Sequence, residues 1–189
     1  MGRPKLMLPL GGRPVIEWLV ESLRHPAVVE VVIIVRPDDD LLARAGEATG
    51  ARVVRPPEAP PDMKASVGWG LQDVSARAGA NGWDGWLLVP ADHPVLVPEV
   101  LAELAAAWGS EDEAILVPTC EGRRGHPTLF AWSLAEEVAE IPADAGLNWL
   151  VARHAGRVRE LELGREEVLL DMDTPEDFAA LQRRFDQLP

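Results

Sequence analysis

The chain has 189 residues, 47% hydrophobic and 26% charged, which excludes a disordered or fibrous protein and fits one domain. Its 18 basic and 31 acidic residues leave a formal charge of −13, the wrong sign for gripping a nucleic-acid backbone. The single cysteine, Cys120, excludes an internal disulfide framework and a cysteine-based zinc site.

Pro9, Gly11, Gly12, Arg13 and Pro14 follow Met1-Gly2-Arg3-Pro4-Lys5 and interrupt any secretory signal. No run reaches the roughly 18 apolar residues a membrane helix needs, so the expected setting is the cytoplasm, away from membranes. Val15, Ile16, Leu19, Val20 and Leu23 recur at helical spacing after Pro14, which predicts an amphipathic helix ending before Pro26. Residues 28–35 are β-branched almost throughout and stop at Pro37, the pattern of a strand buried on both faces. A helix over 38–48, a short strand over 51–54 and a proline-rich loop over 56–61 come next.

Helical character resumes near Lys64 and runs to Ala78, followed by an apolar strand over 86–89 and a helix from Pro98 to Trp108. Residues 114–118 repeat the strand signal. Residues 134–141 and 147–154 carry helical spacing, 158–163 alternate, and 168–170 are short and apolar. Thr174 as N-cap, Pro175 as first helical residue and Asp177 three after the threonine mark a closing helix. Strands alternating with helices predict a single-domain, Rossmann-like, doubly wound α/β fold, with residues 31–35, 87–89, 115–117 and 168–170 in one mostly parallel sheet.

Ligands of open α/β sheets bind beyond the carboxyl ends of strands, so polar residues directly after apolar runs carry most information. Asp92 follows the 86–89 run inside a double-proline turn, and Asp171 and Asp173 follow 168–170. Carboxylates from two strand ends suit Mg²⁺, which takes a few protein oxygens and completes its shell with substrate phosphate. An aspartate in this place is equally a common turn former or helix cap. Ser66 is as good a helix cap as a ligand, and Cys120 has no neighbour that would activate it. The seven tryptophans are scattered rather than interleaved with basic residues, unlike a nucleic-acid stacking platform.

Five segments in order resemble the MobA-like nucleotidyltransferases, the family of molybdenum cofactor cytidylyl- and guanylyltransferases. Gly2-Arg3-Pro4-Lys5-Leu6 with Leu10-Gly11-Gly12-Arg13-Pro14 resembles the passage from the phosphate-binding loop to the first helix. Val89-Pro90-Ala91-Asp92-His93-Pro94 resembles the metal-binding strand end, with histidine where glutamine is usual. Arg124-Gly125-His126-Pro127 and Asp144-Ala145-Gly146 resemble acceptor-side motifs of the cytidylyl branch, and Asp171-Met172-Asp173-Thr174-Pro175-Glu176-Asp177 matches the closing signature. In the place of a Gly-Met-x-x-Ser element stands Asp62-Met63-Lys64-Ala65-Ser66.

The resemblance implies the nucleotide-diphospho-sugar transferase type of fold. It also implies Mg²⁺-dependent transfer of a nucleotide, CMP in preference to GMP, from CTP or GTP to a phosphorylated small molecule such as molybdopterin, with release of pyrophosphate. Asp92 and Asp171 would hold the metal, while Gly2, Arg3, Lys5 and Ser66 would face the nucleotide. Asp92, Arg3 and Lys5 would form the catalytic set, and Gly125, His126, Asp144 and Gly146 the acceptor side. A molybdoenzyme maturation partner is implied as well. The family usually starts with an apolar strand and a glycine-rich loop ahead of the Met-Gly-x-Pro-Lys segment. Residues 1–189 therefore read as one domain, truncated at its N-terminus relative to the family, with a gap expected near the sheet's centre. The competing readings are a sugar-phosphate or other small-phosphate nucleotidyltransferase, and a degenerate, non-catalytic cofactor-binding module.

Overall fold

Gly11 and Gly12, at φ 55° and 83°, form a two-residue turn that only glycine enters without strain. It joins β1 (Pro9–Leu10) to β2 (Arg13–Pro14). The structure, a computed structural model, describes residues 4–78, 83–93, 97–109 and 113–185. α1 (Val15–Ser22) follows and buries Val15, Ile16, Leu19 and Val20, the face its spacing predicts. β3 (Val32–Ile34) runs through α2 (Asp40–Ala48) to β4 (Arg52–Val54), its parallel partner. The Asp39 carboxylate caps α2 by accepting from the Leu42 amide at 3.0 Å.

α3 (Met63–Ala78), β5 (Gly85–Leu88) and α4 (Pro98–Ala107) lead to β6 (Ile115–Cys120), which is buried along its whole length. β7 (Arg123–Arg124), β8 (Thr128–Ala131), α5 (Asn148–Arg153), β9 (Val158–Glu162) and α6 (Pro175–Phe185) complete the order. The strands β5, β8, β6, β7 and β9 form a five-stranded sheet. Because β8 is antiparallel to both β5 and β6, and β9 is parallel to β6, β5, β6 and β9 point the same way. With the parallel β3–β4 pair, the α/β class and the mostly parallel strand direction are as expected. No helix among the described residues is long and apolar enough to cross a membrane.

Three expectations are corrected. Residues 31–35 do not share the sheet of 87–89: β3 and β4 stand as a separate pair. Residues 168–170 are not a strand, because Glu166–Leu169 is a 3-10 turn with Val168 fully buried. The Val168 carbonyl accepts from the His126 amide at 2.8 Å, a single bond in place of a ladder. Residues 134–141 are two short 3-10 turns, Trp132–Leu134 and Glu136–Glu140, rather than one α-helix.

Between β3 and β5 lies a cavity of about 1170 Å³, lined by apolar side chains that include Ile33, Ile34, Leu87, Leu88, Leu19 and Leu104. Among the described residues β3 pairs only with β4, and β5 only with β8, so one edge of each faces this space. Backbone amides without ladder partners exchange readily with solvent. Hydrogen exchange followed by mass spectrometry is expected to show β6 as the slowest segment and β3 at least about 100-fold faster. Equal protection of the two strands would mean that the open edge is covered.

Candidate functional site

The turn after β5 closes with the His93 amide donating to the Pro90 carbonyl at 3.0 Å, which leaves Asp92 half-buried at its tip. The Asp92 carbonyl accepts from the Met172 amide at 2.8 Å, joining this turn to the loop ahead of α6. Met172 is buried, 1% exposed, while its neighbours Asp171 and Asp173 are exposed. The alternation in Asp-Met-Asp thus anchors the loop through an apolar side chain packed with Leu10, Val15 and Leu181 and leaves a carboxylate on either side. Reciprocal bonds fix the helix start behind it: the Asp177 amide donates to the Thr174 hydroxyl at 3.1 Å, and the Thr174 amide donates to the Asp177 carboxylate at 2.7 Å. Those bonds from Thr174 hold the Asp177 carboxyl below its usual range.

Lys5 faces these acids. Its Nζ donates to Asp173 Oδ1 at 2.7 Å; that bond, with the charges of Asp173, Asp92 and Asp171, raises its pKa. Three carboxylates around one ammonium leave an excess of negative charge, the electrostatic demand of a divalent cation. Asp92 and Asp171 are the two that Lys5 does not bond, and both offer the hard carboxylate oxygens that a Mg²⁺ ion takes as ligands. Among the described residues no three His, Cys, Asp or Glu side chains form a metal cage; an ion that keeps several water or phosphate ligands requires none.

Behind Asp92, the rings of His93 and His126 meet edge to face with centroids 4.6 Å apart. The Nδ1 atom of each is buried with no hydrogen-bond partner among the described residues. Burial pushes both pKa values down, that of His126 to about 4, with the His93 charge adding to the effect. These imidazoles form a neutral wall against the acidic turn.

The structure brings some expected residues together and separates others. Lys5, Asp92 and Ser66 line the same cavity. Ser66 spends its hydroxyl and its amide on the Asp62 carbonyl, both at 3.2 Å. Gly2 and Arg3 lie outside the described residues. Gly125 is buried, and a Cβ there would stand 2.2 Å from the Val168 carbonyl oxygen, so close packing requires glycine at this position. His126 reaches the acidic turn through His93, whereas Asp144 and Gly146 are exposed on a different loop. Two residues escaped sequence reading: Asp173, as the ion-pair partner of Lys5, and Lys64, whose Nζ donates to the carbonyls of Pro142, Ala143 and Ala145. Neither contact has a local spacing signal, since the partners are 168 and 78 to 81 residues apart.

The family profile described as the MobA-like NTP transferase domain matches residues 1–158. A molybdenum cofactor guanylyltransferase of Cereibacter sphaeroides is 31% identical over 182 residues, 94% of this chain and 86% of the relative. A molybdenum cofactor cytidylyltransferase of Escherichia coli is 20% identical over 188 residues, 100% of this chain and 92% of the relative. Of solved structures, a Methanothermobacter nucleotidyl transferase superposes with a TM-score of 0.78 at 21% identity, covering 97% of this chain and 85% of its own. The molybdopterin-guanine dinucleotide biosynthesis protein A of Archaeoglobus fulgidus gives 0.66 at 17% identity, covering 99% and 93%. At these identities the two structures establish a shared fold.

The histidine wall has a pH signature. His126 titrates at 6.5 when unfolded and at about 4 when folded, so between these values the unfolded chain takes the proton first. Its contribution to stability is intact above about pH 6.5 and is lost as the pH falls towards 4, by on the order of 2–3 kcal/mol. Urea unfolding at pH 7 and pH 4.5 is expected to show this loss, and His126→Gln is expected to flatten it. An unchanged slope in the variant would contradict the assignment.

Proposed function

The chain belongs to the MobA-like NTP transferase family, and from that premise we propose a Mg²⁺-dependent nucleotidyltransferase that moves CMP, in preference to GMP, from its triphosphate onto a phosphorylated acceptor such as molybdopterin. The observation that carries this reading is the cavity lined by Lys5, Asp92 and Ser66, with the loop of Asp171 tied to the Asp92 turn by the Met172 amide. An acceptor phosphate oxygen attacks the α-phosphorus, a new P–O bond forms, the α–β bridge breaks, and pyrophosphate departs. Little covalent help is needed from the protein in such a step, so positioning and charge compensation supply the rate.

Asp92 and Asp171 would hold Mg²⁺, whose part is to offset phosphate charge and polarise the reacting phosphoryl group. Lys5 meets the triphosphate as a second positive charge and is steadied between turnovers by Asp173. The wall of His93 and His126 excludes water behind Asp92 and stays uncharged near neutral pH, so it does not compete for the carboxylate. Asp144 and Gly146 face the acceptor from the opposite loop.

GMP transfer is the second reading, favoured by the 31% identity to a guanylyltransferase; CMP is favoured by the Gly-His-Pro and Asp-Ala-Gly motifs. Molybdopterin, Mg²⁺ and α-labelled CTP or GTP, mixed with the protein, are expected to give the pterin dinucleotide and one equivalent of pyrophosphate, faster with CTP. A GTP preference would select the second reading, and no product with either would reject the function. Asp92→Asn is expected to lower turnover by about 100-fold or more while moving the melting temperature by only a few degrees, since a half-exposed ligand contributes charge rather than packing. Retained turnover at saturating Mg²⁺ would remove Asp92 from the site.

A further inference from the structure

The first turn of α3 holds a residue that helix physics disfavours. Lys64 is the second residue of this helix, at the positive end of the macrodipole, where an acid is the stabilising choice. Its side chain is only 15% exposed. The ammonium is satisfied instead by main-chain carbonyls of a distant loop: Pro142 at 2.6 Å, Ala143 at 2.8 Å and Ala145 at 2.8 Å. All three of its donors are thereby used, at the short distances of charge-assisted bonds.

The loop it grips has few other supports. Residues 142–144 are exposed and lie outside any helix or strand. The turn closes on itself through the Ala145 amide and the Pro142 carbonyl at 3.0 Å, and it is anchored at its ends by buried Ile141 and Leu147. Three carbonyl dipoles converging on one point repel one another unless a cation lies between them. On the other side, Asp62 completes the arrangement: its Oδ2 stands 3.8 Å from the ammonium, and its Oδ1 caps the helix by accepting from the Ala65 amide at 2.8 Å.

We propose that Lys64 is a positioning residue for the acceptor, holding the loop that carries Asp144 and Gly146 in register with the helix end that carries Ser66. The inference rests on the function proposed above, in which Asp144 and Gly146 face the acceptor and Ser66 lines the cavity shared with Lys5 and Asp92. One helix terminus then registers both substrates: the loop is pinned two residues away from Ser66 along the chain. Without the ammonium the turn loses its cation and samples other conformations, so the acceptor meets a disordered surface while the nucleotide side is unaffected.

The test uses the full chain with CTP, Mg²⁺ and molybdopterin. Lys64→Met is expected to raise the KM for molybdopterin about tenfold, equivalent to about 1.4 kcal/mol, while the KM for CTP and kcat stay within about threefold. Lys64→Cys is expected to behave alike, and alkylation with 2-bromoethylamine, which rebuilds an ammonium at nearly the original reach, to restore the molybdopterin KM. Cys120, 4% exposed, is shielded from the reagent, and wild-type protein treated identically is the control. Hydrogen exchange is expected to quicken over residues 142–147 in Lys64→Met and to stay unchanged around Leu71 in the same helix. A parallel rise in both KM values, no rescue by alkylation, or unchanged exchange at 142–147 would overturn the proposal. If wild-type protein makes no product from molybdopterin, the function falls on that result alone, and the exchange comparison still decides whether Lys64 orders the loop.

Discussion

A single main-chain hydrogen bond, from the Met172 amide to the Asp92 carbonyl at 2.8 Å, joins the two turns on which the candidate site depends. The two turns it joins carry Asp92, Asp171 and Asp173, which would drive each other apart if left to Coulomb repulsion. Burial of Met172 supplies an apolar anchor, the capping bonds between Thr174 and Asp177 fix the direction in which the chain leaves, and Lys5 bridges the remaining gap. Such concentrated charge is tolerable because most of it stays near solvent.

The backbone of Val168 performs the matching service on the histidine side. Its carbonyl takes the His126 amide, and the absence of a side chain at Gly125 lets the two segments approach to a distance no Cβ would permit. The Gly-His pair in the motif divides its labour: the glycine packs, and the histidine closes the wall behind Asp92.

Much of the fold was legible because burial leaves a period. The β-branched run ending at Pro37, the spacing after Pro14 and the Thr-Pro-x-Asp helix start each reflect a local physical rule, and they reappear as β3, α1 and α6, although β3 keeps only Val32–Ile34 of the run, half-buried rather than buried on both faces. The turn holding Asp92 was legible for the same reason, as a polar residue at the end of an apolar strand. What sequence did not reveal was pairing. Thr128 to Ala131 alternate in burial as β8, yet four residues beside a Gly-His-Pro motif give too short a period to stand out. An apolar triplet at 168–170 looks the same whether it enters a ladder or a 3-10 turn, and the carbonyls that hold Lys64 lie 78 to 81 residues away and belong to the main chain, which leaves no side-chain pattern to read.

Residues 6–18 and 172–185 share one small core. Leu10 and Val15 pack with Met172 and Leu181, Trp18 meets Phe185 edge to face at 4.7 Å, and the turn at Gly11 closes against the same Phe185 ring. During synthesis this core has only its early half until the segment beginning near Met172 has left the ribosome. The acidic site depends on that segment for Asp171 and for the partner of Lys5, so β3 to β9 cannot form it without the chain on both sides of them.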